Sequence, residues 1–317
     1  MADSNLYKGD ANNTDYFKLS TALAGGLASL KYDLVATGLV TNYSGVARSK
    51  GAKYADVVRV PKYNTSGKAA RTKTAGTAFA TTAVTSDKAE LTINNHKFWD
   101  FLLEDYGSVF TVDGMAEGLI NEGKSALAEA IEGSVIGLYA GLSNSVGSAG
   151  GGLTDAILIA TRKKTRELKF RQTRPTYLLY GTDAEEDLLA IDKQVLVNES
   201  GTAEALFNAK FGSRYGMQFF TSNLMPAVTG SPTAEHALCF QREAFGIAFV
   251  DMSVFGNYAS DNSFQQGMFV ADDNGTPAYS MRVKMSDSHR DFGTLFTVDT
   301  MYGVAEIQDS LAIDILL

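Results

Sequence analysis

Three histidines, one cysteine and a glycine-rich loop are the places in this sequence where chemistry could sit. His236 and Cys239 have the spacing of two metal ligands, but a zinc site takes about four, and no second pair exists. Core packing is the stronger reading for both. His289 lies among Ser286, Asp287, Ser288, Arg290 and Asp291. A serine triad is set by spatial geometry, and the GxSxG elbow is absent, so a solvated turn outweighs a nucleophile there. The run Asp272-Asp273-Asn274-Gly275 lacks the acidic spacing of a calcium loop. SVGSAGGGL, Ser145 to Leu153, follows a helix rather than a strand. It lacks both GxGxxG spacing and a Gly-Lys-Ser/Thr ending, so it reads as a flexible turn and not a phosphate loop. The sequence therefore offers no catalytic constellation, no cofactor and no metal site, and the expectation is a protein that is not an enzyme.

The elements around these residues are more informative. Asp113 to Leu142 reads as one long helix of about 45 Å at 1.5 Å per residue, with Asp113 as N-cap and Glu117 in the first turn. Its side chains fall on three faces. One carries Ile120, Leu127, Ile131, Val135, Leu138 and Leu142. A second is small: Gly123, Ala126, Ala130, Gly133, Gly137 and Gly141. The third holds Glu122, Glu129 and Glu132, with Ile136 as an apolar exception. Each mid-helix glycine costs about 1 kcal/mol against alanine. Close approach of another main chain to Gly133, Gly137 and Gly141 would explain them; the alternative is a poor helix with a broken C-terminal half. The three glutamates are expected to face solvent, since buried unpaired carboxylates are costly.

Composition bounds the class. The chain has 317 residues, 45% of them hydrophobic, which allows a substantial core in one large or two ordinary domains. No apolar run approaches the roughly 20 residues of a membrane span, and no signal peptide opens the chain. A single cysteine rules out an internal disulfide and fits a reducing cytoplasm. The net charge of −8 is uneven. Val57 to Ser86 holds Arg59, Lys62, Lys68, Arg71 and Lys73 with no acid, and Thr161 to Arg174 holds seven basic residues against Glu167. Opposite charges in separate patches suit contact between copies of one chain, or are ordinary solvated surface. For the basic run at 162–174, a solvated face or subunit contact outweighs nucleic acid, because the only interleaved aromatic is Phe170.

In order, residues 1–50 read as an arm, with Leu19, Leu23, Leu27, Leu30 and Leu34 at helical spacing. Strand-like Asp56 to Val60, ending at Pro61, and Ala89 to Asn94 flank about 28 residues rich in Lys, Gly, Thr and Ala, with Phe79 as their lone aromatic. So long a connection is usually functional; here it reads as a projecting two-stranded arm. Phe98 to Leu103 is an apolar anchor. From about 153 to 250 the pattern alternates helix and strand: a basic helix from Thr154 to Leu168, a strand Thr176 to Tyr180, a helix from Ala184, and a strand Met217 to Phe220. The last third is strand-rich, with a hairpin around Asp272 to Gly275 and strands at Leu295 to Val298 and Ala312 to Leu316.

Four segments resemble one family. FGSRYGMQFFTSNLMP (Phe211 to Pro226) resembles a segment of tailed-bacteriophage major capsid proteins: a glycine pair, a short strand, Ser-Asn, an apolar residue and proline. LCFQREAFGIAF (Leu238 to Phe249) resembles that family's Arg/Lys-x-Ala-Phe segment. RPTYLLYGTDAEEDLL (Arg174 to Leu189) is similar to the preceding strand and helix, and MYGVAEIQDSLAIDIL (Met301 to Leu316) to the closing Tyr-Gly strand pair. The resemblance is nearest the P22 coat-like branch. It implies an α+β, Hong Kong 97-type capsid fold: N-arm 1–50, extended E-loop 51–95, peripheral P-domain 96–152 with spine helix 113–142, and α/β axial A-domain 153–250. Residues 251–317 would give the remaining P-domain strands and a C-terminal strand returning to the A-domain. The implied function is a coat protein that self-assembles as hexamers and pentamers of an icosahedral shell around double-stranded DNA, contacted non-specifically. An encapsulin-like compartment of the same fold is the alternative. Expected partners are a separate scaffolding protein, a portal and a decoration protein, with no membrane; assembly would take place in the host bacterial cytoplasm and the product would be a virion. The start at Met1 argues against a fused scaffolding segment, and no long insertion interrupts the A region. Within the E-loop, Arg59, Lys62, Lys68, Arg71, Lys73 and Phe79 are the expected intersubunit contacts.

Overall fold

The computed structural model describes residues 34–48, 57–63, 75–76, 86–104, 115–191, 212–225, 227–228, 234–255, 258–260, 263–271, 277–288, 290 and 292–317. Helix α1 (Val35–Leu39), strand β1 (Thr41–Asn42) and helix α2 (Ser44–Arg48) lead into β2 (Val57–Tyr63), β3 (Ser86–Thr92) and β4 (Asn95–Glu104). The long helix α3 (Met115–Ile136) follows, then β5 (Ser145–Gly147), α4 (Asp155–Glu167), β6 (Tyr177–Tyr180) and α5 (Thr182–Ala190). Next come β7 (Ser213–Arg214), β8 (Met217–Thr221), β9 (Ala227–Val228), β10 (Ala234–Phe240) and β11 (Phe245–Phe249). The last strands are β12 (Tyr258–Ser260), β13 (Ser263–Ala271), β14 (Pro277–Ser288), β15 (Gly293–Glu306) and β16 (Ala312–Leu316).

The first sheet runs β1-β11-β15-β14-β13-β12, with β4 also on β15. Residues 293–299 of β15 pair with β14 and with β4 at once, so β4 covers the opposite edge. Alternation puts Trp99, Phe101, Met281, Val283, Phe296 and Val298 on one face. Phe101 stacks on its cross-strand neighbour Phe296, 4.9 Å between centroids. Helix α3 lies on this face and buries Ile120, Leu127, Ile131 and Val135, the stripe its periodicity predicts. Each such side chain contributes about 1.5–3 kcal/mol on burial. The Tyr302 hydroxyl fixes the register, 3.1 Å from the Ala130 carbonyl and 2.8 Å from Ser134 Oγ.

The second sheet runs β5-β16-β10-β6-β8-β7, with β9 pairing β10. Its central strands β6, β10 and β16 carry apolar runs, as strands covered on both faces do; Leu178, Leu179, Leu238, Phe240, Ile313 and Ile315 are all buried. The pair β2-β3 forms a third sheet of its own.

Several expectations change at this level. The long helix does not run to Leu142: after Ile136 it tightens into a 3-10 turn, Gly137–Gly141, closed by Leu142 N–H to Tyr139 O at 3.1 Å. Gly137 and Gly141 weaken this last turn. Asp113 lies outside the described residues. Strand β2 continues through Pro61 to Tyr63; in a two-stranded sheet each strand is an edge, where proline is tolerated. Ser145–Gly147 is not a free turn but pairs in parallel with β16. Gly147 has φ +92, and a Cβ there would sit 2.2 Å from Leu316 O, so the close crossing demands glycine. Phe245–Phe249 falls in the first sheet, against β15, rather than in the α/β segment expected to run to 250. The turn at Gln241–Ala244, closed by Ala244 N–H to Gln241 O at 2.9 Å, carries the chain from one sheet to the other.

Candidate assembly surfaces

The hairpin β2-β3 is rooted by Val58 and Leu91, both buried against Ala248, with Tyr43, Val60, Ile93 and Ala305 beside them. Above the root its charges meet one another. Arg59 Nε lies 3.2 Å from Glu90 Oε1, directly across the ladder, and Lys88 Nζ lies 3.1 Å from the same oxygen. The hydrogen bond and charge of Lys88, with Arg59, hold the Glu90 carboxyl below its usual range. Arg59 thus has a partner in its own hairpin. Lys62 is half-buried. Burial and the charge of Asp309 push the Glu306 carboxyl up, and Lys62 pulls it partly back. Lys68, Arg71, Lys73 and Phe79 lie outside the described residues, as does the leucine series before Leu34.

On α3, Glu122 and Glu129 are exposed. Glu132 is not: it is 3% exposed and accepts from Ala36 N (2.5 Å), Thr37 N (3.1 Å) and Thr37 Oγ1 (2.9 Å). It therefore serves α1 as a cap supplied from another helix, where a carboxylate meets the positive end of the backbone dipoles. The solvent-facing assignment fails for Glu132 because α1 covers that strip. A signal existed: Ile136, the apolar exception, lies one turn on and is 1% exposed. Two residues at i and i+4, one apolar, share the covered ground.

The small face also differs from expectation. Gly133 and Gly137 are exposed, and a Cβ on either would meet nothing within 4 Å; at Gly141 it would meet only Glu306 Oε2, at 3.3 Å. No main chain of the described residues lies on them. Close packing falls instead on Gly123, where a Cβ would stand 2.5 Å from Trp99 Cε3. The helix needs glycine where the indole of β4 presses on it.

The candidate chemical residues are tied up structurally. Buried His236 has Nδ1 2.8 Å from Asp314 Oδ1, and the Tyr139 ring lies 4.2 Å from the imidazole. Burial pushes the Asp314 carboxyl up, and His236 offsets part of this. Burial pushes the Cys239 thiol up to about 12, with Met217 Sδ 3.7 Å from it. His96 Nε2 is 2.8 Å from Asp299 Oδ2, and Asp299 is clasped by Arg282 through Nε (2.9 Å) and Nη2. His289 lies outside the described residues. Among the described residues no cluster of three or more His, Cys, Asp or Glu could hold a metal, and no helix is long and apolar enough to cross a membrane. One pattern escaped the sequence analysis: Gly118 to Ser125, GLINEGKS, spells the phosphate-loop motif. It sits inside α3, where backbone N–H groups bond along the helix, and Lys124 is buried with Nζ on Asn121 Oδ1 at 3.0 Å. Without a strand-to-loop entry it cradles nothing.

No family model and no curated protein matches the sequence. The architecture does have counterparts. A chain of Mycobacterium phage Che8 superposes with a TM-score of 0.63 at 16% identity, covering 89% of this chain and 90% of that one. A chain from the capsid of the Cyanophage P-SCSP1u gives 0.60 at 14%, covering 87% and 86%. One from the capsid of a native GTA particle gives 0.59 at 10%, covering 89% and 90%. Identities this low establish the fold: the chain has the α+β, Hong Kong 97-type architecture.

Proposed function

We propose that this chain is the major capsid protein of a tailed bacteriophage, a subunit that self-assembles into the icosahedral shell around double-stranded DNA. The observation that supports it is the extent of the likeness: capsid chains match over nearly nine-tenths of this chain and of their own length. In this reading the protein is a virion component, assembled in the bacterial cytoplasm with a scaffolding protein, a portal and a decoration protein. The test is negative-stain microscopy of the expressed protein. Closed shells are expected; small particles only would overturn the reading. Shells from infected cells should hold DNA, and shells holding protein cargo without it would instead mark an encapsulin-like compartment.

Two contacts belong to the same proposal. The E-loop, with Arg59, Lys62, Lys68, Arg71, Lys73 and Phe79, lies on a neighbouring subunit. Replacing Lys62 to Ser86 with a short Gly-Ser turn leaves Val58 and Leu91 in their root, so gel filtration should show a folded subunit that forms no shells. Shells of unchanged size would remove the E-loop from assembly. Among the described residues Gly133 and Gly137 meet nothing and Gly141 meets only the Glu306 side chain, and their close approach is to another copy. Gly137→Leu should keep native circular dichroism yet lose shells, and normal shells would refute the close approach.

A further inference from the structure

We propose that the outward faces of α4 and α5 are the two halves of one contact between copies of this chain. This rests on the self-assembly reading and names surfaces that would carry it.

Helix α4 buries Leu158, Thr161 and Thr165 and turns Ile159, Lys163 and Arg166 outward, with Ile159 51% exposed. Helix α5 buries Ala184 and Leu188 and turns Asp183, Glu186 and Leu189 outward, with Leu189 42% exposed. A single exposed apolar side chain is ordinary. Here each one opens or closes a stripe whose other end has one sign of charge, and the signs are opposite. Along the chain α4 runs from apolar to basic; α5 runs from acidic to apolar. Laid antiparallel, Ile159 meets Leu189, Lys163 meets Glu186 and Arg166 meets Asp183. At 1.5 Å per residue the charges stand about 6 and 10.5 Å from Ile159 on α4, and about 4.5 and 9 Å from Leu189 on α5. The antiparallel arrangement also opposes the helix dipoles favourably.

The basic end is built to stay in place. Phe170 N–H bonds Thr165 O at 3.0 Å and Lys169 N–H bonds Arg166 O at 3.1 Å, a Schellman closure. Lys169 takes the left-handed position, φ +59, where glycine is usual, so a charge is kept there against backbone strain. Beyond it, fully buried Gln241 accepts from Arg171 N (3.2 Å) and donates to Arg171 O (2.8 Å). Among the described residues the ion-pair partner of Lys163 is the exposed Glu167, at 3.7 Å. Arg166, Lys169 and Arg171 have no ion pair among the described residues. Among the described residues α5 of the same chain makes no ion pair with them. Asp187 Oδ2 holds Leu153 N at 2.5 Å, which ties α5 to the start of α4, about 20 Å of helix from its basic end. Helix α5 of a second copy offers a complement of matching sign and spacing.

The test is charge reversal in the full chain. Lys163→Glu with Arg166→Glu should abolish shells at moderate salt while circular dichroism stays native. Adding Asp183→Lys and Glu186→Lys to the same chain should restore them. Leu189→Ser, which leaves every charge in place, should weaken assembly at least tenfold in the concentration required. If the Lys163→Glu/Arg166→Glu protein assembles as the unaltered chain does, the contact is wrong and self-assembly stands; if the unaltered chain forms no shells, the underlying reading is wrong. Failure of the fourfold variant to recover, with its fold intact, also overturns the contact. So does normal assembly of the reversed variant with lost binding to a labelled DNA duplex, which would make the stripe a polyanion surface.

Discussion

Replacing Glu132 with alanine tests how the N-terminal segment is held. The substitution removes the acceptor for Ala36 N, Thr37 N and Thr37 Oγ1 together. Loss of a helix cap costs about 0.5–2 kcal/mol. Each buried donor left without a partner costs about 1–3 kcal/mol. These terms do not simply add, because α1 can lift off and hydrate. That escape is itself limited by the burial of Leu34, Ala36 and Val40, where each larger side chain contributes about 1.5–3 kcal/mol. The net expectation is a loss of about 3–5 kcal/mol, large against a total of about 5–15 kcal/mol. Urea unfolding followed by circular dichroism measures it. Hydrogen exchange localises it: the Ala36 and Thr37 amides should lose at least about a hundredfold protection, since about 1.4 kcal/mol is a factor of ten. Glu129→Ala, on the exposed side of α3, is the control and should stay within about 0.5 kcal/mol of the unaltered chain. If the two variants unfold alike, the cap is not holding α1.

Three further outcomes are expected. Gly123→Ala should destabilise by about 1–3 kcal/mol because Trp99 must shift, whereas Gly137→Ala, open on every side, should be neutral or stabilising by up to about 1 kcal/mol in the isolated subunit; urea midpoints of the pair decide it. Burial holds the Glu235 carboxyl above its usual range, with Asp183 and Asp187 adding to the effect and hydrogen bonds from the Ala184 and Asp183 amides opposing it. Its stabilising protonated form is present below the unfolded value of about 4.3 and is lost as pH rises through the folded value. Glu235→Gln should therefore gain stability relative to the unaltered chain as pH is raised from 4 to about 7, and a flat difference would refute this. Cys239, fully buried with its thiol near 12, should resist a disulfide reagent in the native subunit and react at once in denaturant; prompt native labelling would show that the strand pair β10-β16 opens.

What the sequence made legible follows from strength of pattern. The stripe Ile120, Leu127, Ile131 and Val135 repeats often enough that only one side of α3 can face a sheet. The strands around Leu178 and Met281 carry runs or alternations with little competition from helix. The misses have local causes. Glu132 follows the charge pattern of its helix, but α1, 95 residues earlier, decides its environment. Pro61 ends a strand only where its N–H would be needed. Phe245–Phe249 continues the apolar character of β10, and nothing local tells which of two sheets receives it. The alternative of a broken C-terminal half is the one the helix follows after Ile136, but the sequence does not indicate a 3-10 turn, because Gly137 and Gly141 lower helix propensity without naming what replaces the helix.

The places where this chain breaks local rules divide into two kinds. Gly123, Gly147 and Glu132 break them for a reason inside the subunit: an indole, a crossing strand, an uncapped helix. Gly133 and Gly137 in an exposed helix, Ile159 and Leu189 in solvent, and Lys169 in a glycine conformation have no such reason within the described residues. Sequences are locally consistent except where function demands otherwise. A subunit whose only task was to fold would gain about 1 kcal/mol at each bare helical glycine by taking alanine. Features unfavourable to the isolated subunit and placed on its outside are what a surface selected in the presence of its own copies should carry. The α4–α5 pairing makes that argument quantitative, because it requires the defects to match in sign and spacing, and four charge reversals are enough to test whether they do.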